Sequence, residues 1–315
     1  MASPEVSDAG EVQPVRLRAH DGYELGGALY AANTREEPVR VALLHGGAGI
    51  PALRYRRFAR FLAAHGMPTL TYDYRGIGLS RPASLRGFRA SIEDWAQYDC
   101  AGGIAWLRER FPRASIVGIA HSIGALLFGG AHNAAEQKQL VIIGGHTAYY
   151  GDYDTRYRLP MTVLWHGLMP VVTGLVGYFP ARRLGLGADL PAAVALRWAG
   201  RRSPELRPSH KEPHYERFQT LLDRCAALQR PALLVSISDD AFATPEGIGR
   251  LMAYYPRLFP LRRLQFTPAQ AGVQRIGHFG FFTRRAGSAL WPRVLAELET
   301  GPAEARPPPS PPAVR

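Results

Sequence analysis

Residues 115–124 read Ser-Ile-Val-Gly-Ile-Ala-His-Ser-Ile-Gly, and they contain the strongest local motif in the chain. The first half of this stretch is apolar, as in a buried parallel strand, and a helix-length pattern begins near Ile123. Ser122 is therefore predicted on a sharp turn from strand to helix, with its hydroxyl exposed at the carboxyl-terminal edge of a sheet. Ala120 and Gly124 stand two residues before and after it, where small residues let strand and helix approach. This arrangement favours a nucleophilic serine.

Short β-rich runs alternate with helix-length patterns on both sides of this turn. This alternation predicts βαβ units and therefore an α/β fold, with a mostly parallel eight-stranded sheet covered by helices on both faces. The predicted strands are Val15–Arg18, Tyr23–Tyr30, Val41–Leu44, Thr69–Tyr72, Ser115–Ile119, Leu140–Ile143, Ala232–Val235 and Arg263–Phe266. One predicted helix carries Phe58, Phe61 and Leu62 on one face. The others lie around Trp95–Leu107, from Ile123 onward, over Pro245–Tyr255 and near Ser288–Leu298.

One long interruption divides the pattern and gives the expected domain organisation. A core at 13–146 and 229–299 is expected to carry an inserted helical cap at 147–228. The cap contains Leu159–Ala181, 23 residues without Asp, Glu, Lys or Arg. That length allows a membrane span, but three prolines and His166 inside it favour a cap over an apolar pocket, without stable membrane insertion. The termini, 1–12 and the proline-rich 300–315, are expected to be disordered.

The composition excludes several classes of protein. The chain has 315 residues, 46% of them hydrophobic, and a net charge of +12 from 38 Lys and Arg against 26 Asp and Glu. Only Lys138 and Lys211 are lysines, and the arginines are scattered, so we expect no nucleic-acid partner. Cys100 and Cys225 lie far apart, which argues against a disulfide framework. With no signal-peptide pattern at the N-terminus, a cytoplasmic location is expected.

A nucleophilic serine needs a histidine base and an acid that orients it. His278 lies between the last predicted strand and the last helix, with Gly277 and Gly280 beside it. His121, next to the serine, is expected to be structural. Asp239 and Asp240 both follow the strand Ala232–Val235, and either carboxylate can orient the imidazole. Asp240 is preferred, with Asp239 as the alternative.

Backbone amides at two positions are expected to form the oxyanion hole. One is the amide of Ile123, directly after the nucleophile. The other is expected from the loop after the third strand, which reads His45-Gly46-Gly47-Ala48-Gly49. Gly47 is the predicted donor and Ala48 the second choice.

These motifs together resemble the α/β-hydrolase superfamily over roughly residues 15–298. The resemblance is greatest to a bacterial branch near the serine aminopeptidases and monoacylglycerol lipase-like enzymes. It implies an α/β-hydrolase fold, and it implies Asp240 as the acid. Ala120 and Ile237 stand where the superfamily more often has glycine. The supporting stretches are the serine turn, His45–Gly47, Tyr72–Ser80, Gly185–Pro191 and Gly277–Phe282.

The predicted function is that of a serine hydrolase acting through an acyl-enzyme on a small-molecule ester with a hydrophobic acyl group. No cofactor or metal is implied, since His210, Glu212 and His214 are interrupted by Pro213 and lack a further ligand. Three alternatives stay open. The same residues suit an acyltransferase or an amide hydrolase, and a homologue can bind a ligand without turning it over.

Overall fold

A computed structural model describes residues 10–33, 36–201, 203–206 and 215–300. Predictions for the two ends of the chain and for His210, Glu212 and His214 lie wholly or largely outside this part. The structure is built on one eight-stranded sheet with the order β1-β2-β4-β3-β5-β6-β7-β8. The strands are β1 Val12–Arg18, β2 Glu24–Tyr30, β3 Arg40–His45, β4 Thr69–Tyr72, β5 Ser115–His121, β6 Gln137–Ile143, β7 Ala232–Ile237 and β8 Leu261–Phe266.

The sheet is parallel from β4 to β8 and antiparallel at its β1–β2 edge. This confirms the predicted α/β class and strand pattern. Because parallel strands run in the same direction, their carboxyl ends all lie at one edge of the sheet. Ser122 follows β5, Asp240 follows β7 and His278 follows β8, so the topology brings the three predicted groups to that edge.

Helices cover both faces of the sheet. On one face the helices Arg56–Ala64 and Arg284–Glu299 bury Phe58, Leu62, Leu290 and Trp291 against the strands. On the other face Ile104, Leu221 and Leu251 belong to a second core cluster. The α-helices are α1 Arg56–Ala64, α2 Ile92–Asp94, α3 Ala101–Arg110, α4 Gly124–Leu127, α5 Thr155–Val163, α6 Met169–Val176, α7 Ala192–Gly200, α8 Tyr215–Ala227, α9 Pro245–Met252, α10 Gly277–Gly280 and α11 Arg284–Glu299.

Two predicted helices differ in detail from the observed ones. The helix expected around Trp95–Leu107 begins earlier, at α2, because Ser91 and Asp94 form a capping box. It passes through a π-helical turn at Trp95–Cys100 before α3. The helix after Ile123 is only one turn of α-helix, which tightens into a 3₁₀ turn at Phe128–Gly130.

The segment between β6 and β7 carries α5 to α8. Within it the chain is helical from Thr155 to Val176, through a π-helical turn at Leu164–Leu168. Among the described residues this is one helix long and apolar enough to cross a membrane, and little of it is buried. His166 nevertheless bonds through Nδ1 to the carbonyl of Ala199 on α7, 2.9 Å away. The assignment of the segment 147–228 as a cap stays a prediction.

Candidate active site

Ser122 occupies a strained turn between β5 and α4. Its φ is +58°, a left-handed conformation that is costly for a residue other than glycine and often marks a functional site. Strand and helix approach closely here, since a Cβ on Gly124 would lie 2.6 Å from the carbonyl oxygens of both His45 and Gly46. Ala120 is fully buried beside β3. The turn therefore holds the serine side chain, which is half-buried, at the edge of the sheet.

Asp240 and His278 form a buried pair at the same edge. Nδ1 of His278 lies 2.7 Å from Oδ2 of Asp240, while Oδ1 accepts the amides of Phe242 and Ala243. Burial alone would raise the pKa of Asp240, but the charge and hydrogen bond of His278 and the two amides outweigh it, so the pKa falls to about 2. The carboxylate is thus ionised and accepts a hydrogen bond from Nδ1 of His278.

Asp239 faces a different set of donors. Its two carboxylate oxygens accept the amides of Ile276 and Gly277, each over 3.0 Å, immediately before His278. Of the two aspartates that the sequence left open, Asp240 contacts the imidazole and Asp239 anchors the loop that carries it.

The hydroxyl of Ser122 bonds to a histidine that the sequence analysis did not consider. Oγ of Ser122 lies 3.0 Å from Nε2 of His146, which follows β6. The His146 ring lies edge-to-face against the His278 ring, with centroids 5.3 Å apart. The two imidazoles are therefore neighbours, but among the described residues the Ser122 hydroxyl bonds to His146 and not to the predicted base His278.

The partners of each ring fix its tautomer. The amide of Ala148 donates to Nδ1 of His146 over 2.9 Å, so that nitrogen is unprotonated and Nε2 carries the proton. Burial above all, with the neighbouring His278, lowers the pKa of His146 to about 3, so this ring is neutral. His146 thus donates to Ser122. His278 instead directs its Nδ1 proton to Asp240, and its Nε2 has no hydrogen-bond partner among the described residues.

A third imidazole, His121, belongs to a chain of structural hydrogen bonds. The amide of Gly47 donates to the hydroxyl of Tyr55 over 2.8 Å, and that hydroxyl lies 3.0 Å from Nδ1 of His121. Nε2 of His121 lies 3.1 Å from the carbonyl oxygen of His278, so it is the protonated nitrogen. Burial lowers the pKa of His121 well below its ordinary value, and the ring ties the serine turn to the loop of His278.

The hydrogen bond between Gly47 and Tyr55 corrects the expectation that the Gly47 amide is an oxyanion donor. Gly47 does lie against the nucleophile, since a Cβ on it would be 3.2 Å from Cβ of Ser122. Its amide is already bonded to Tyr55, however, and is not directed at a substrate. Within the described part of the chain the amides of Ile123 and Ala48 have no acceptor. These two amides, rather than those of Ile123 and Gly47, are the donors that the structure leaves available.

The residues before Gly47 support the loop rather than the chemistry. His45 is buried, with Nδ1 2.9 Å from the hydroxyl of Tyr72 and Nε2 2.9 Å from Oε1 of Gln137. Burial lowers the pKa of His45 to about 4. Gly46 lies against Tyr55, where a Cβ would be 3.0 Å from Cε2 of the ring.

The arginine of the Tyr72–Ser80 loop is also structural. Nε of Arg75 donates to the fully buried Asp99 over 2.7 Å, and its two terminal nitrogens donate to Asp21. These ion pairs and hydrogen bonds raise the pKa of Arg75 against the effect of burial. The guanidinium is therefore already paired with two carboxylates within the protein and is not a substrate anchor.

Sequence reasoning missed His146 and Tyr55. The signal for His146 is its position, since the stretch Gly144-Gly145-His146 leaves β6 at the edge where β5 presents the serine. Tyr55 carries no such signal, because it lies in a short turn before α1. Among the described residues no group of three or more His, Cys, Asp and Glu side chains is placed to hold a metal ion.

Comparison with known proteins agrees with this architecture. Residues 36–146 match the profile of the family described as serine aminopeptidase, S33. A comparison with curated protein sequences found no significant match. The matched residues include the His45–Gly47 loop, the Tyr72–Ser80 loop and the serine turn.

Solved structures share the fold over most of the chain. An esterase of Pyrococcus furiosus is 16% identical and covers 92% of this chain and 91% of its own, with a TM-score of 0.58. A monoacylglycerol lipase of Paleococcus ferrophilus is 16% identical over 88% and 98%, with a TM-score of 0.55. An esterase domain from Rhodothermus marinus is 15% identical over 92% and 98%, with a TM-score of 0.54. The chain therefore has the α/β-hydrolase fold.

Proposed function

We propose that this α/β-hydrolase cleaves carboxylic esters through an acyl-enzyme formed on Ser122. One observation supports this most directly. A serine held at φ +58° shares one sheet edge with a histidine whose Nδ1 proton is directed to an ionised aspartate. A strained backbone is retained where it presents a reactive side chain, and a buried carboxylate fixes the tautomer that a base needs.

The proposed chemistry follows from these roles. Nε2 of His278 takes the proton of Ser122 while Oγ attacks the carbonyl carbon of the ester. The negative charge that moves to the carbonyl oxygen is held by the amides of Ile123 and Ala48. Collapse breaks the bond to the alcohol, which leaves with the proton from His278. Water then gives a proton to His278 as its oxygen bonds to the acyl carbon, and the bond to Oγ breaks as Oγ takes that proton back from His278 and the acid is released.

An aromatic lining supports a hydrophobic acyl group. The ring of Phe242 lies 5.5 Å from the His278 ring and 5.0 Å from that of Tyr153. Tyr153 in turn contacts His146 and Trp165, so aromatic side chains continue from the imidazoles toward the helices between β6 and β7. Tyr153 is almost fully buried, so it packs within the protein and is not exposed to a substrate. Phe242, which is half-buried beside His278, suits an acyl chain better than a charged group.

The test uses purified full-length protein. We expect hydrolysis of p-nitrophenyl esters that improves with acyl length, together with covalent labelling by a fluorophosphonate probe. Ser122→Ala is expected to lose at least about a thousandfold in kcat/KM and all labelling. If the wild type is neither labelled nor active, the proposal fails. Products formed with added alcohols or amines separate acyl transfer from hydrolysis, and an anilide substrate tests amide cleavage.

A further inference from the structure

His146 has a place in the site that the proposed mechanism leaves unused. It is 5% exposed, and its Nε2 lies 3.0 Å from the oxygen that attacks the ester. An imidazole this close to a nucleophile is either a second base or a donor. The hydrogen bond from Ala148 to Nδ1 decides between them, because it puts the remaining proton on Nε2.

The backbone around His146 is built to hold this orientation. Ala148, whose amide contacts Nδ1, has a φ of +57°, which is unfavourable for alanine. The residue between them is held from the end of α7, since the guanidinium of Arg201, the residue directly after this helix, donates both to the carbonyl and to the hydroxyl of Thr147. The ring itself packs edge-to-face on Tyr153, with centroids 5.7 Å apart. A strained turn and a half-buried arginine thus hold the backbone that fixes one tautomer of one ring.

We infer that His146 is a non-basic catalytic residue, a neutral imidazole whose Nε2 proton stabilises negative charge on Oγ of Ser122. The inference rests on the proposed function and adds a residue to it. During attack the Ser122 proton moves to His278, the bond from Oγ to the carbonyl carbon forms, and the His146 proton stays where it is. When the acyl-enzyme breaks down, Oγ is the leaving group, and the same hydrogen bond stabilises the departing oxygen.

The roles of the two ring nitrogens are separable by a matched pair of substitutions. In His146→Gln the side-chain amide nitrogen occupies about the position of Nε2, so the donor to Ser122 is kept and the contact with Ala148 is lost. In His146→Asn the side-chain oxygen occupies about the position of Nδ1, so the contact with Ala148 is kept and the donor to Ser122 is lost. A purely structural His146 would make the two variants rank in the opposite order.

The readouts are the second-order rate of fluorophosphonate labelling, which reports the nucleophilicity of Ser122, and kcat and KM for one p-nitrophenyl ester. We expect His146→Asn to lose about tenfold to a hundredfold in labelling rate and in kcat, with little change in KM. His146→Gln is expected to stay within about fivefold of the wild type. Thermal unfolding of each variant shows that it is folded.

Two results would overturn the inference while leaving the proposed function intact. One is a His146→Asn variant that labels as fast as the wild type. The other is a His278→Ala variant that retains more activity than His146→Asn, since His146 would then be the base. Absence of labelling in the wild type, by contrast, would reject the proposed function itself.

Discussion

The Nδ1 proton of His278 is directed to Oδ2 of Asp240 over 2.7 Å. The neighbouring Asp239 has its carboxylate on the amides of Ile276 and Gly277 instead. Two adjacent aspartates therefore serve different parts of one loop, and only one of them contacts the base.

Substitution of the two aspartates should separate these roles. Asp240→Asn is expected to lower kcat by about 10⁴-fold, because an amide at this position favours the wrong tautomer of His278. Asp239→Asn keeps the imidazole contact and should cost about 1 kcal/mol in the free energy of unfolding, with a much smaller fall in kcat. Steady-state kinetics and urea unfolding measure both effects. Equal losses of kcat would show that the pair is not divided in this way.

The strain at Ser122 should be measurable as stability. Ser122→Gly and Ser122→Ala remove the same hydroxyl, so both are expected to be inactive. Only glycine adopts φ +58° without cost, and we expect Ser122→Gly to exceed Ser122→Ala by about 1 kcal/mol in the free energy of unfolding. Urea unfolding of the two variants gives the difference. An alanine variant that matches or exceeds the glycine variant would show that the turn is unstrained.

Tyr55 is expected to be a stability determinant with an effect on the site. Tyr55→Phe leaves the buried amide of Gly47 without its acceptor and Nδ1 of His121 without its donor. The expected loss is about 1–3 kcal/mol in the free energy of unfolding. Because the same hydroxyl holds the loop of Ala48, kcat should fall more than KM changes. Phe58→Leu, a core change within α1 that removes none of these hydrogen bonds, is the control for destabilisation alone, and an equal fall of kcat there would contradict the link.

The contribution of the buried histidines to stability should fall as the pH drops below about 6.5. His45 and His146 have pKa values of about 4 and about 3 in the folded protein, because burial opposes protonation, against 6.5 as the ordinary value. Between pH 6.5 and 4 the unfolded chain therefore binds more protons than the folded one, and stability decreases as pH falls. Each histidine is expected to contribute up to about 2 kcal/mol of this loss by pH 5.

Urea unfolding at pH 7.5, 6 and 5 tests this expectation. His146→Gln should show a shallower dependence than the wild type, because it removes one of the buried groups. Asp240 does not contribute in this range, since its pKa of about 2 lies below the ordinary value of 3.8 and its stabilisation is lost only below about pH 4. Asp99, whose pKa burial raises to about 7, acts in the opposite direction over this range, so the difference between the variants is the test. A His146→Gln variant with the same pH dependence as the wild type would contradict the expectation.

Much of the fold and part of the site follow from local patterns. The apolar runs at β3, β5, β6 and β7 specify buried parallel strands, and parallel strands align their carboxyl ends. The order of Ser122, Asp240 and His278 along the chain then places all three at one edge, whatever the details of packing. The small residues Ala120 and Gly124 are readable in the same way, because they reflect a close approach between neighbours in sequence.

What only the tertiary structure decided is the direction of individual hydrogen bonds. The sequence favoured Asp240 over Asp239 without excluding Asp239, and the structure separates them: Asp239 accepts the amides before His278, while Asp240 contacts the His278 ring. The amide of Gly47 is occupied by Tyr55, which shifts the expected oxyanion donor to Ala48. His146 reaches Ser122 because β6 lies beside β5, and its tautomer depends on a turn at Ala148. Hydrogen bonds depend on angstrom-scale positions of groups distant in sequence, and a linear pattern does not encode these positions.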